Sequence, residues 1–224
     1  MMRVSVLKEI ADVCPQFIGA AVEATVRNTE RNYELWNEID GWRDKYRGVL
    51  STEDIKHIEA VEATRRVYKA CGKDPSRYRP AAEALIRRLI QGKELYRIST
   101  LVDLINLASI AYGYSIGGFD ADKFAGDTLT LGIGREDEPY EGIGRGRINI
   151  AGLPVYRDAL GGVGTPTSDN ERTKIDIGTT HTLILVNGYD GNKDSVSDTA
   201  KFIASLLQKY AEGSGISITP FAGQ

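Results

Sequence analysis

This chain of 224 residues is poor in the side chains on which most familiar active sites rely. It has two cysteines, Cys14 and Cys71, in no CxxC pair, and two histidines, His57 and His181. Those residues supply no set of nitrogen and sulfur donors at ligand spacing, which argues against a zinc site, and they argue against a disulfide framework. Free thiols in a reducing compartment are expected instead. No GxSxG elbow occurs. The glycine-rich "GGVGTPTS" lacks a closing GK[ST], and "GIGRGR" is not followed by a helix whose first amides could cradle phosphate. No cofactor is therefore expected. No apolar run approaches about 18 residues, and the opening "MMRVSVLKEIADVC" has no signal-like apolar core, so a soluble, cytoplasmic protein without membrane association is anticipated. Basic surplus is missing too. Against 31 Asp and Glu stand 28 Lys and Arg, a net charge of −3, which speaks against broad non-specific binding to nucleic acid, DNA included. A local basic patch stays open.

The apolar content of 42% is enough for a substantial core in a chain of this length. Ile18, Ala20, Val22, Ala24 and Val26 alternate in "QFIGAAVEATV" with Glu23 and Thr25, the period of an early strand. "STEDIKHIEAVEATRRVYKACG" predicts a helix opening on a Ser51/Thr52 cap and closing at Gly72. "DPSRYRPAAEALIRRLIQG" predicts another, with Pro80 at its first turn and Gly92 at its end. A third runs from about Thr100 to Gly113 in "STLVDLINLASIAYG". It is apolar nearly all round, which places it in the interior. Asp103 and Asn106 interrupt it at a spacing of three, and such groups either cap a neighbouring loop or face a pocket.

Beyond Gly113 the texture changes, with thirteen of the 24 glycines between Gly113 and Gly164. Short strands and tight turns are expected there, in "DTLTLGI", "GRINI" and "LPVYRD". "HTLILVNG" is the strongest late strand, "SVSDTAKFIASLLQKYAEG" a capped amphipathic helix, and "ISITPF" a last strand. No linker or repeat divides these parts, so residues 1–224 read as one interlaced α/β domain.

Three segments together resemble the B3/B4 domain of the phenylalanyl-tRNA synthetase β subunit and of free-standing proteins. The first, "DPSRYRPAAEALIRRLIQGKELYRISTLVDLINLASIAYGYSIGGFDADKF", is similar to the family's helix pair, buried helix and following loop. The others are "LPVYRDALGGVGTPTSDNERTKID" and "HTLILVNG", and the likeness spans about residues 73 to 190. The resemblance implies a three-layer fold of β-sheets packed with helices. It also implies editing: hydrolysis of the ester that joins a wrong amino acid to tRNA, here in trans.

The same resemblance places Asn106 on the pocket-lining helix, and Gly118, Phe119 and Asp120 on the loop after it. Asp158, Gly161 and Gly162 fall at a second pocket-forming turn, and Asn187 on the closing strand. Two departures stand out. Gly117 occupies the place of a family histidine, and no glutamate stands near Val186 or Asn187 to recognise a tyrosine hydroxyl. Arg65, Arg66 and Lys69 on one helix, with Arg87 and Arg88 on the next, are the candidates for RNA contact, although solvated helix faces look alike. Two functions follow as expectations: a deacylase of mischarged aminoacyl-tRNA, or a non-catalytic module binding an amino acid or tRNA. An unrelated enzyme on the same fold is the remainder.

Overall fold

The computed structural model describes residues 2–223. The chain opens with β1 (Arg3–Val6), α1 (Lys8–Val13) and β2 (Ile18–Thr25), followed by four helices: α2 (Tyr33–Tyr46), α3 (Glu59–Ala70), α4 (Ala81–Ile90) and α5 (Thr100–Tyr112). Then come β3 (Ile116–Asp120), β4 (Thr128–Ile133), the short pair β5 (Glu141–Gly142) and β6 (Gly146–Arg147), β7 (Pro154–Asp158) and β8 (Gly161–Gly164). The chain closes on β9 (His181–Gly188), α6 (Lys193–Tyr210) and β10 (Ser214–Ala222).

Two four-stranded sheets result, ordered β10-β2-β9-β3 and β1-β4-β7-β8. In the first, β2 and β9 run antiparallel in unbroken register from Ile18↔Gly188 to Thr25↔His181. Alternation sorts their side chains onto two faces. Ala20, Val22, Ile184 and Val186 join Leu101, Leu104 and Ala108 of α5 and Ile203 of α6 in one core. Ala21, Leu183 and Leu185 join Leu129, Leu131, Tyr156 and Val163 of the second sheet in another. Helices, sheet and sheet therefore form the three layers anticipated for the fold, with β9 buried on both sides. No helix of the described residues is long and apolar enough to cross a membrane.

Helix α5 sits as its composition predicts. Leu101, Leu104, Leu107, Ala108 and Ile110 are fully buried, and Gly113 ends the helix with a φ of 79°. A side chain at Gly113 would also meet Ile58 Cγ2 at 2.8 Å, so glycine is required there twice over.

Three local expectations need correction. The helix foreseen from Ser51 begins at Glu59 instead. Asp54 accepts the N–H and hydroxyl of Ser51 at 2.8 and 2.7 Å, closing a local turn that diverts the chain before any α-helix starts. "GRINI" contributes only the two residues of β6, because Asn149 bends back to accept the Ala151 N–H at 2.8 Å. The segment foreseen as a loop after α5 is a strand, β3, at the edge of the first sheet.

Candidate functional site

The two polar residues of α5 have different fates. Asp103 is buried: its Oδ2 accepts the Trp36 indole N–H at 2.7 Å and its Oδ1 the Ile98 N–H at 3.2 Å. Burial raises its carboxyl pKa, while those two bonds and Arg97 oppose the rise. Asn106, three residues on, is half-buried and makes no side-chain hydrogen bond among the described residues. It faces a cleft of about 460 Å³ between α4, the segment leading to α5, and the β5–β6 hairpin. Arg79, Arg87, Arg88, Tyr96, Arg145 and Thr167 share that cleft.

Helix α4 sets the charge of this wall. Glu83, almost fully buried, draws in Arg65 at 2.8 Å, Arg79 at 3.3 Å and Arg87 at 3.8 Å. One buried carboxylate for three guanidiniums leaves the surroundings net positive. Arg88 donates to the Glu94 carbonyl at 2.7 Å and lies 4.3 Å over the ring of Tyr96, which is 68% exposed. Of the five basic residues singled out for RNA contact, Arg87 and Arg88 line the cleft. Arg65 is committed to Glu83, Arg66 stands 3.5 Å from Glu62, Lys69 is exposed, and none of these three lines the cleft.

Strand β3 packs against α5 through Ile105. A Cβ at Gly118 would lie 2.4 Å from Ile105 Cδ1, and one at Gly117 would lie 2.9 Å from the Phe119 ring. Gly164 of β8 meets that same ring, at 2.5 Å. Phe119 thus fills the space over Gly117, and a histidine there would require the ring to move.

Against this glycine edge stands Asp169, at the end of the turn "TPTSD". Thr165 Oγ1 accepts the N–H groups of Thr167 and Ser168, Tyr140 donates its hydroxyl to the Ser168 carbonyl at 2.7 Å, and Tyr68 shares a 2.8 Å bond with Thr167. The turn so fixed carries Thr167 into the Asn106 cleft and Asp169 to the edge of β3. Asp169 Oδ2 accepts the Gly118 N–H at 3.3 Å; Oδ1 has no partner among the described residues and lies 3.6 Å from the Cβ position of Gly117. The residue as a whole is half-buried. Its carboxyl group, packed beside an aromatic ring and bare backbone, is pushed by burial up to about 7, against the lowering effect of the Gly118 N–H.

The other anticipated residues are committed elsewhere. Asp120 accepts the Asp122 N–H at 3.2 Å and the Thr179 hydroxyl at 2.8 Å, and pairs with Lys123 at 3.3 Å. Asp158, with no exposed side-chain surface, takes both Arg172 nitrogens at 2.8 Å and the N–H groups of Ala125, Leu160 and Gly161. Gly161 turns the β7–β8 hairpin at a φ of 135°, and Gly162 gives way to the Tyr140 ring. Asn187 is 3% exposed, accepting from Tyr156 at 2.7 Å and donating to the Ser115 carbonyl at 2.9 Å. The structure places Asn106 in the cleft with Thr167, Tyr96 and Arg145, which sequence reasoning missed, and places Gly117, Gly118 and Asp169 together at the edge of β3, outside the residues that line that cleft. The available signal was the Thr-Pro-Thr-Ser-Asp run directly after the glycine-rich strand β8, a turn rich in groups that bond their own backbone.

A three-layer α/β domain with a cation-lined cleft and a glycine-bearing edge strand is the class this geometry defines. The B3/4 domain profile matches residues 63–211, two thirds of the chain and wider at both ends than the span anticipated from the motifs. The chain belongs to the B3/4 domain family. No curated protein matches it. Among solved structures it is similar to an N-terminal fragment of the phenylalanyl-tRNA synthetase β-subunit from Pyrococcus horikoshii, at 13% identity and a TM-score of 0.47. That likeness covers 96% of this chain and 50% of the other, so the chain spans about half the length of that fragment.

Proposed function

We propose that this protein hydrolyses the ester bond of a mischarged aminoacyl-tRNA, acting in trans. The observation that carries the reading is the carboxamide of Asn106, without a partner among the described residues, in a cleft walled by guanidinium groups. An aminoacyl-tRNA end is polyanionic along its phosphates and neutral at its ester. Arg79, Arg87, Arg88 and Arg145 suit the phosphates, and the exposed Tyr96 ring suits stacking of a terminal base. Asn106 suits the ester carbonyl, whose oxygen gains charge as water attacks and is stabilised by a positioned amide N–H. Membership of the B3/4 domain family supports the same reading, because the synthetase domain that the chain resembles edits by ester hydrolysis. The activated ester needs a positioned water and a stabilised oxyanion rather than a strong side-chain nucleophile.

A second reading is a binding module without turnover. What favours it is the Phe119 ring over Gly117, which leaves no side chain where the resemblance implies a histidine. Incubation with a panel of mischarged tRNAs separates the two. Ester loss above the buffer rate for at least one amino acid is expected, and no loss for any would leave binding alone. A thermal-shift screen with free amino acids then reads that alternative, a ligand at 100 times its dissociation constant adding about 2.7 kcal/mol.

A further inference from the structure

The positive surface does not end at the cleft around Asn106. The segment that joins α4 to α5 also lines a second cleft, of about 350 Å³, shared with one face of α2. Tyr96 lines the first cleft and Arg97 the second, and Lys93 lines both, so the two adjoin. Four cations line the second, Arg43, Arg47, Lys93 and Arg97, against two acids, Asp40 and Glu94, in a chain whose net charge is −3. Arg43 is paired with Asp40 at 2.8 Å. Arg97 lies 4.5 Å over the buried ring of Trp36, whose indole N–H is held by Asp103, so this guanidinium has a fixed platform. Arg47 and Lys93, like Arg145 in the first cleft, are exposed and make no ion pair among the described residues.

We propose that the second cleft binds the sugar–phosphate backbone of the tRNA 3′ strand as it leaves the Asn106 cleft, with Arg145, Lys93 and Arg47 meeting phosphates across the α4–α5 segment. This site rests on the tRNA reading above, and it serves hydrolysis and binding without turnover alike. A strand held at its terminal nucleotide lays further phosphates on the neighbouring surface, and each one that a cation neutralises there releases counterions. Unpaired cations gain this without first giving up a carboxylate. That separates them from the basic residues of α3, where Arg65 and Arg66 already face Glu83 and Glu62. The Arg97 guanidinium, planar and seated on Trp36, suits a phosphate or the face of a further base.

The test is tRNA affinity as a function of salt for the wild type, a triple variant carrying Arg47→Gln, Lys93→Gln and Arg97→Gln, and Lys69→Gln, which removes a charge from an exposed residue outside both clefts. At about 0.7 per phosphate contact of a single strand, the triple variant should flatten the slope of log affinity against log salt by about 2. Arg47→Gln alone should contribute about 0.7 of that and weaken binding about fivefold at low salt. Lys69→Gln should change neither, and tRNA stripped of its single-stranded 3′ end should bind the wild type and the triple variant alike. A triple variant with affinity within twofold of the wild type and the same slope overturns the second cleft as a site, while deacylation at Asn106 stands. Equal flattening per charge by Lys69→Gln, or losses seen with anionic lipid vesicles and not with tRNA, overturns it as well. The expected slope loss in a protein that hydrolyses no ester keeps this site and removes the hydrolytic reading; a wild type that binds no tRNA overturns both. Should the triple variant not fold, Arg47→Gln decides alone.

Discussion

Two sets of polar side chains in this domain are wired in opposite ways. In the closed set, Asp103, Asn187 and the side chain of Asp158 are buried and their oxygens are met, by Trp36 and Ile98, by Tyr156, and by Arg172 and three backbone amides, while the Asn187 amide donates to Ser115. In the open set, Asn106 and Asp169 each keep an oxygen or amide without a partner among the described residues. A buried polar group costs free energy unless paired, so saturation marks parts that hold the fold. An oxygen or amide left unpaired adds no bond that holds the fold, and at Asp169 burial also disfavours the charged carboxylate. The contrast teaches that residues of one type and one sequence neighbourhood divide by partner, not by kind.

Substitutions should break along that line. The largest effect is expected for Asp158→Ala. Burial opposes its charge, yet Arg172 and the Ala125 and Leu160 amides hold its pKa below the usual carboxylate range. Its loss strands those donors, at a cost of about 3 kcal/mol or more, visible as a lowered denaturant midpoint. Tyr156→Phe should follow, at about 1–3 kcal/mol in the same measurement, because Asn187 Oδ1 is left buried and unpaired. Asp103→Ala belongs with it, stranding the Trp36 indole.

The open set should respond with the other sign or barely at all. Asp169→Asn is expected to stabilise the domain at pH 8 and to do nothing near pH 3. In the folded state this acid keeps its proton up to about 7, whereas the unfolded chain ionises near 3.8. Stability is therefore lost as pH rises between those values, and the neutral amide should flatten that stretch of a pH–stability curve. Asn106→Ala should move stability least, within about 0.5 kcal/mol, while slowing hydrolysis. A large loss of stability from Asn106→Ala would move it into the closed set.

Much of the fold was legible because its signals are local. The alternation in β2, the all-round apolar character of α5 and the glycine at its end each report directly on burial and backbone geometry. Helix α2 was not, since Gly41 and scattered charges interrupt its apolar stripe, and only Asn32, which accepts the Leu35 N–H at 3.1 Å, marks its start. The site divides in the same way. Asn106, Gly117 and Gly118 could be placed from their neighbours in the chain. Asp158 and Asn187 could be matched to positions but not to partners, because Arg172 and Tyr156 reach them across 14 and 31 residues. Asp169 escaped for the same reason: what distinguishes it is the Gly118 amide, 51 residues away.

The central claim is that Asn106 and its cleft serve ester hydrolysis on tRNA, and single-turnover deacylation of mischarged tRNA by the wild type and Asn106→Ala tests it most directly. The account predicts ester loss above the buffer rate for the wild type with at least one amino acid, and a slower rate for the variant at unchanged thermal stability. Equal rates for the two proteins, or no ester loss from any mischarged tRNA, would contradict it.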